Sequence, residues 1–122
     1  MQFETTSIVS VVFGLLFAHA LADFSLQIDA MAKGKNRNVK PDYTRPGQKY
    51  TPCWFYWLTS HALIHGGLVA MVTLNVWLGI AETVLHWLID FAKCKSKTNL
   101  HQDQLLHMLC KAVYILVLVK IP

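Results

Sequence analysis

The stretch Trp54 to Ala92, WFYWLTSHALIHGGLVAMVTLNVWLGIAETVLHWLIDFA, tells most about the fold. It consists of two apolar segments, about 54–74 and about 76–92, and Asn75 between them marks a tight turn. A helix needs about 20 residues, at about 1.5 Å each, to cross a hydrocarbon core of about 30 Å. We therefore predict a helical hairpin that spans a membrane.

Two more apolar segments, about 7–28 and about 100–121, flank this hairpin. Only 15% of the 122 residues are charged and 54% are hydrophobic, whereas a soluble domain has about 25% charged residues. We predict one all-α domain over residues 1–122, an antiparallel up-down bundle of four transmembrane helices. No Lys or Arg precedes the first segment, so we expect a retained helix and not a cleaved signal peptide.

The basic residues predict the orientation of the bundle. Nine of the eleven Lys and Arg residues lie in a loop at 33–53 or in the stretch 93–97, and in a four-helix bundle these two loops share one side. The positive-inside rule makes that side cytoplasmic and places both termini on the non-cytoplasmic side. We expect a multi-pass protein of a bacterial inner membrane, with the lipid bilayer as its partner. The sequence contains no basic motif with interleaved aromatic residues, so we do not expect it to bind nucleic acid.

Each predicted helix carries two ionisable residues four positions apart. The pairs are His19 and Asp23, His61 and His65, His86 and Asp90, and Asp103 and His107. This spacing places both members of a pair on one helix face. In the predicted topology all four pairs lie near the cytoplasmic end. Ionisable groups inside a membrane are costly and usually functional, so we predict that these eight residues bind metal.

Eight ligands exceed the needs of one tetrahedral zinc ion. Helical bundles can build dinuclear sites from histidines and carboxylates on four helices. Imidazole together with carboxylate suits zinc, iron or manganese. No cysteine belongs to the polar stripes that the four pairs form, so a thiolate-rich site is not expected. We expect two divalent ions, with zinc favoured and iron or manganese left open.

Other polar residues near the stripes have predicted roles. Glu82 or Asp23 is the candidate general base. Glu82 lies deeper, so it is also a candidate hydrogen-bond partner of a metal ligand, or a candidate proton relay. Gln27 and Lys111 extend two of the stripes and are expected behind the ligands or at the interface. Three lysines are expected near lipid headgroups, where they would attract phosphate: Lys33, Lys35 and Lys93. Lys93 is also a candidate anchor of the third helix at the membrane interface.

The four motifs, taken in order, resemble those of a known family. They are His19-Ala-Leu-Ala-Asp23-Phe-Ser-Leu-Gln27, His61-x3-His65-Gly66, His86-Trp-Leu-Ile-Asp90-x2-Lys93 and Asp103-Gln104-x2-His107. The family comprises small bacterial and phage integral membrane proteins and is known only as a domain of unknown function. The pattern is more distantly similar to predicted inner-membrane metal-dependent hydrolases that look related to zinc phospholipases, which implies hydrolysis.

We therefore expect a metal-dependent hydrolase that acts on a lipid or lipid-linked ester or phosphoester at the cytoplasmic leaflet. A divalent-cation or proton transporter is the first alternative, and a homodimer would supply further helices for it. A non-haem di-iron oxidase is another. The last is a non-enzymatic phage or bacterial membrane protein in which the metal is structural.

Overall fold

A computed structural model describes residues 5–40 and 46–121 of the chain. Within these ranges every regular element is helical, which confirms the all-α class. The elements are α1 (Thr5–Ala20), a π-helical turn (Leu21–Ser25), α2 (Asp29–Gly34), α3 (Trp54–Thr73), α4 (Val76–Cys94) and α5 (Leu100–Lys120).

Helices α3 and α4 form the predicted hairpin. Leu74 ends α3 in the left-handed region with φ 52°, and the Asn75 side chain caps α4 by accepting from the backbone N–H of Trp77 at 3.0 Å. Glycines allow the two helices to pack closely, because a Cβ on Gly66 would lie 2.5 Å from the carbonyl oxygen of Gly79. The turn prediction at Asn75 is confirmed.

The first predicted helix, 7–28, differs from the structure at its end. The chain passes from α1 into the π-helical turn, where the Leu26 N–H donates to Leu21 O at 2.8 Å, and α2 follows as a separate helix. The last residues of α2 therefore lie inside the predicted loop 33–53. The absence of a side chain on Gly34 lets α2 lie against Trp57 of α3, since a Cβ there would be 2.5 Å from the indole ring. Loop residues 41–45 lie outside the described ranges, as do residues 1–4 and 122 at the termini.

Three helical stretches of the described chain are long and apolar enough to cross a membrane: Ser7–Ser25, Trp54–Thr73 and Leu100–Lys120. Helix α4 is 19 residues long but carries Glu82, Asp90 and Lys93, and it is not among them. The bundle also exposes apolar side chains such as Trp77 (75% exposed) while it buries His86 completely. Long apolar helices with polar groups inside indicate a membrane protein.

An apolar core and a polar core share the bundle interior. Leu15, Val69, Leu78 and Tyr114 form the apolar cluster. Each lies one helical turn from an ionisable residue on the same helix: Leu15 precedes His19, Val69 follows His65, and Leu78 precedes Glu82. The polar side chains therefore form a layer that stacks directly on the apolar core, toward the end of the bundle where α1 ends and α5 begins.

Candidate metal centre

Four helices and the π-helical turn bring the predicted ligands together in one buried cluster. Each i,i+4 pair turns inward from its own helix, as the sequence pattern indicates. Seven of the eight residues are buried, and the Asp23 side chain, which the π-helical turn carries, is 10% exposed. The buried seven are His19, His61, His65, His86, Asp90, Asp103 and His107.

The first candidate ligand group consists of Asp23, His61, His65 and His86. Their ligand atoms all lie within 4.8 Å of one another. Asp23 Oδ1 is 3.0 Å from His65 Nε2, 3.3 Å from His61 Nε2 and 3.9 Å from His86 Nε2. Tetrahedral zinc, with ligands at about 2.0–2.2 Å, holds its ligand atoms about 3.4 Å apart. The distances from Asp23 Oδ1 to the three imidazoles bracket this value, so the first group could hold one ion.

A second group consists of Asp90, Asp103 and His107. His107 Nε2 is 3.4 Å from Asp90 Oδ1 and 3.6 Å from Asp103 Oδ1. Asp90 also reaches the first group, because its Oδ2 is 3.5 Å from His61 Nε2 and its Oδ1 is 3.7 Å from His86 Nε2. Asp90 thus lies between the two groups, as a carboxylate that bridges two ions would.

Several of these atoms are buried without a hydrogen-bond partner among the described residues. They are the Nε2 atoms of His61, His86 and His107 and the Oδ1 atom of Asp103. Buried polar atoms are nearly always satisfied, and each orphan costs about 1–3 kcal/mol. Their separations of 3.3–3.7 Å from neighbouring carboxylate oxygens exceed a good N–H···O distance but match two ligands of one ion. The residues present therefore fit a metal ion.

Glu82 contacts His86 from the Nδ1 side of its ring and also lies 3.9 Å from His65 Nδ1. Its Oε1 is 3.3 Å from His86 Nδ1 and accepts from Lys111 Nζ at 2.5 Å, while its Oε2 accepts from the Tyr114 hydroxyl at 2.8 Å. When Nδ1 of His86 carries the ring proton and donates it to Glu82, the lone pair on Nε2 is free and faces Asp23 and Asp90. This carboxylate–histidine arrangement is typical behind metal ligands. Both oxygens of Glu82 are thus engaged, as a partner of a ligand requires.

Gln104 occupies a central place that the sequence reasoning did not assign. Its amide nitrogen donates to Asp23 Oδ2 at 2.8 Å, and its oxygen accepts from His19 Nε2 at 2.9 Å. A third candidate group among the described residues consists of Glu82, His86 and His107. His19 is the one predicted ligand that belongs to none of these three groups. Gln104 lies three residues before His107 and seven before Lys111, so it shares their face of α5, a spacing that could have pointed to it.

Tyr114 was also missed, although a pattern could have found it. Asp103, His107, Lys111 and Tyr114 follow one another at intervals of four, four and three residues, which keeps them on one face of α5. All four are buried. Extending the stripe by one more turn would have included the tyrosine.

The three lysines expected near headgroups lie in different surroundings. Lys35, at the end of α2, is 6% exposed, and its Nζ is 2.5 Å from both Asp90 Oδ2 and Gln27 Oε1. Lys93 Nζ is 3.2 Å from Asp103 Oδ2, and its side chain is one-third exposed. Lys33 pairs with Asp29 at 3.0 Å on the surface of α2. Lys35 and Lys93 therefore contact candidate ligands, and Lys35 is enclosed where the sequence suggested an open loop.

Gln27 and the backbone of Asp23 connect α2 to the cluster. The Gln27 amide nitrogen donates to the carbonyl oxygen of Asp23 at 3.1 Å, while its oxygen accepts from Lys35. Gln27 thus orients the lysine and the π-helical turn that carries Asp23.

Comparison with known proteins identifies one family. The profile of the family described as "Protein of unknown function (DUF3307)" matches residues 11–121, which is nearly the whole chain. The chain has no significant match among curated proteins or among solved structures. The match includes every residue of the three candidate ligand groups.

Proposed function

We propose that this chain, which belongs to the DUF3307 family of proteins of unknown function, is a membrane-embedded metal-dependent hydrolase. Its substrate would be a lipid or lipid-linked ester or phosphoester. The observation that carries the proposal is the pair of ligand groups joined at Asp90, with orphaned Nε2 atoms turned toward shared carboxylates. Nitrogen and oxygen ligands of this kind favour zinc first, and iron or manganese next.

The residues of the cluster support hydrolysis as the proposed reaction. A divalent ion bound there would supply hydroxide by lowering the pKa of its water to about 7. Asp23 is the most exposed of the candidate ligands, and Gln104 fixes its Oδ2. Asp23 is therefore the better candidate to accept a proton, while Glu82, held by Lys111 and Tyr114, orients His86.

We also propose the membrane topology. Helices α1, α3, α4 and α5 would form four antiparallel spans, with α4 tolerated because Glu82 and Asp90 face the interior and are 1% exposed. The two basic loops would lie in the cytoplasm of a bacterial cell, with both termini on the other side of the inner membrane. The ligand cluster would then lie near the cytoplasmic leaflet, at the level of an ester bond beneath a headgroup.

Transport of a divalent cation or a proton is the second candidate. The observation that favours it is the inward continuation of the polar stripe through Glu82 and Lys111 to Tyr114. Lys111 lies near the middle of the 21-residue helix α5. Transport sites usually lie near the midplane between repeats, and a homodimer would supply the second half of such a path.

Reconstitution of the purified protein separates these functions. In proteoliposomes we expect bound metal by elemental analysis and release of headgroup from a phospholipid or a lipid-linked pyrophosphate. Loss of a general base costs about 10²–10⁴-fold in rate, and Asp23 is also a candidate ligand, so Asp23→Asn should lose at least that much hydrolysis and its metal content is measured in the same sample. Asp29→Asn is the matched control, because Asp29 is exposed on α2 and pairs with Lys33, and it should retain the rate.

Two results would redirect the proposal. Flux of zinc into the vesicles, or metal-dependent flux of protons, without hydrolysis would support transport. Firmly bound metal with neither hydrolysis nor flux would support the structural role.

A further inference from the structure

The buried charges of the metal centre nearly balance without any metal. Among the residues that the structure describes, four carboxylates and three ammonium groups line it, and these leave one net negative charge if the imidazoles are neutral. The carboxylates belong to Asp23, Glu82, Asp90 and Asp103, and the ammonium groups to Lys35, Lys93 and Lys111. Only Lys93 is substantially exposed among these seven.

This balance limits how much metal the centre can hold by itself. One divalent ion with a bound hydroxide would leave the cluster neutral. Two divalent ions would leave three net positive charges inside a bundle that lies in a membrane. Uncompensated buried charge is strongly unfavourable, so a second ion needs an anion to accompany it.

The positions of two lysines show where that anion would bind. Lys35 contacts Asp90 and Lys93 contacts Asp103, and these two carboxylates belong to the same ligand group as His107. Lys93 therefore lies beside the second group, and Lys35 lies at Asp90 between the two groups, on the Oδ2 atom that also faces His61. They repel a lone cation there and attract an anion with several negatively charged oxygens.

We propose that the centre binds its second divalent ion together with a phosphate group, which Lys35 and Lys93 hold. This inference rests on the metal binding proposed above and narrows the substrate to phosphate esters, since a neutral carboxylic ester would not compensate the charge. Lys35 is the more specific of the two lysines, because α2 and Gln27 hold it inside the cluster.

Metal stoichiometry with and without phosphate tests the proposal. Metal-free protein in lipid nanodiscs is dialysed against low micromolar zinc, with or without inorganic phosphate, and the bound zinc is measured by elemental analysis. We expect about one zinc per chain without phosphate and about two with it. Zinc should in turn raise the affinity for phosphate about 5- to 150-fold, which is the usual range for coupling between two binding sites.

Substitution of the enclosed lysine should reduce the requirement for phosphate. Lys35→Met takes away one positive charge, so two zinc ions would leave two net positive charges in place of three, and we expect phosphate to raise the affinity for the second zinc less than it does in the wild type. Lys97→Met is the matched control, because Lys97 is exposed in the α4–α5 loop, and it should behave as the wild type. If Lys35→Met fails to fold, the partly exposed Lys93→Met tests the same point.

The outcomes distinguish this inference from the proposed function. Two zincs per wild-type chain regardless of phosphate would overturn the inference and leave the metal-dependent hydrolase intact. An effect of phosphate on the second zinc that is as large in the lysine variants as in the wild type would also overturn it. A wild-type chain that binds no zinc under any of these conditions would overturn both.

Discussion

Replacement of Glu82 by Gln, first alone and then together with Lys111→Met, separates ligand positioning from stability. Glu82 accepts from Lys111 and Tyr114 and lies 3.3 Å from His86 Nδ1. Glutamine keeps the shape but removes the negative charge. His86 Nδ1 then faces a neutral amide in place of a carboxylate, which supports the imidazole less well as a metal ligand.

Two effects of Glu82→Gln have different sizes. Loss of a carboxylate behind a metal-bound histidine weakens metal binding about 10- to 100-fold, or about 1.4–2.7 kcal/mol. The same change leaves the Lys111 ammonium, 4% exposed, without its partner, and breaking a buried ion pair costs about 3–5 kcal/mol of stability. The single variant should therefore show both weaker metal binding and a lower unfolding temperature.

A double variant isolates the positioning effect. Glu82→Gln with Lys111→Met removes one charge of each sign, so the net charge of the centre is unchanged and no buried ammonium is left alone. We expect its unfolding temperature to recover most of the loss, while zinc affinity stays about 10-fold or more below that of the wild type. Competition with a fluorescent chelator measures the affinity, and thermal unfolding in detergent measures the stability.

The reasoning is refuted if the double variant binds zinc as tightly as the wild type. Glu82 would then matter only as a counter-ion for Lys111, and the orientation of His86 would not depend on it.

Three further results follow from the structure. Asp90→Asn should reduce zinc affinity at least about 10-fold, because it weakens the one carboxylate between both ligand groups, and unchanged zinc content by elemental analysis would remove Asp90 from the ligands. Gly66→Ala should destabilise the α3–α4 hairpin by about 1–3 kcal/mol, whereas Gly67→Ala, whose added Cβ meets nothing within 4 Å, should not, and equal unfolding temperatures of the two would contradict the packing. Removal of metal by a chelator should lower the unfolding temperature of the wild type, since ligand at 100 times Kd stabilises by about 2.7 kcal/mol, and an unchanged temperature would argue against a metal that binds only the folded bundle.

The sequence was most informative where a physical rule acts within one helix. The i,i+4 spacing puts His61 and His65 on one face whatever the rest of the chain does, and burial of ionisable groups in an apolar chain predicts that such faces turn inward. The all-α class and the turn at Asn75 rest on equally local rules. These features were predicted and are confirmed by the described residues.

Features that depend on contacts between distant segments were not predicted. Lys35 lies in a basic stretch that reads as an exposed loop, and only the packing of α2 on α3 encloses it beside Asp90. The π-helical turn that presents Asp23 likewise leaves no periodic trace in an apolar run. The spacing of Gln104 places it on the face of α5 that carries His107, but its partners His19 and Asp23 belong to α1 and the turn, which spacing within α5 does not reveal.

Anomalous X-ray diffraction at the zinc edge, from crystals of zinc-loaded protein, tests the central claim most directly. We expect an anomalous peak about 2.0–2.2 Å from the Nε2 atoms of His61 and His65 and from a carboxylate oxygen of Asp23. Strong peaks confined to the protein surface or to the cysteines, with the imidazoles still packed together and no peak among them, would contradict it.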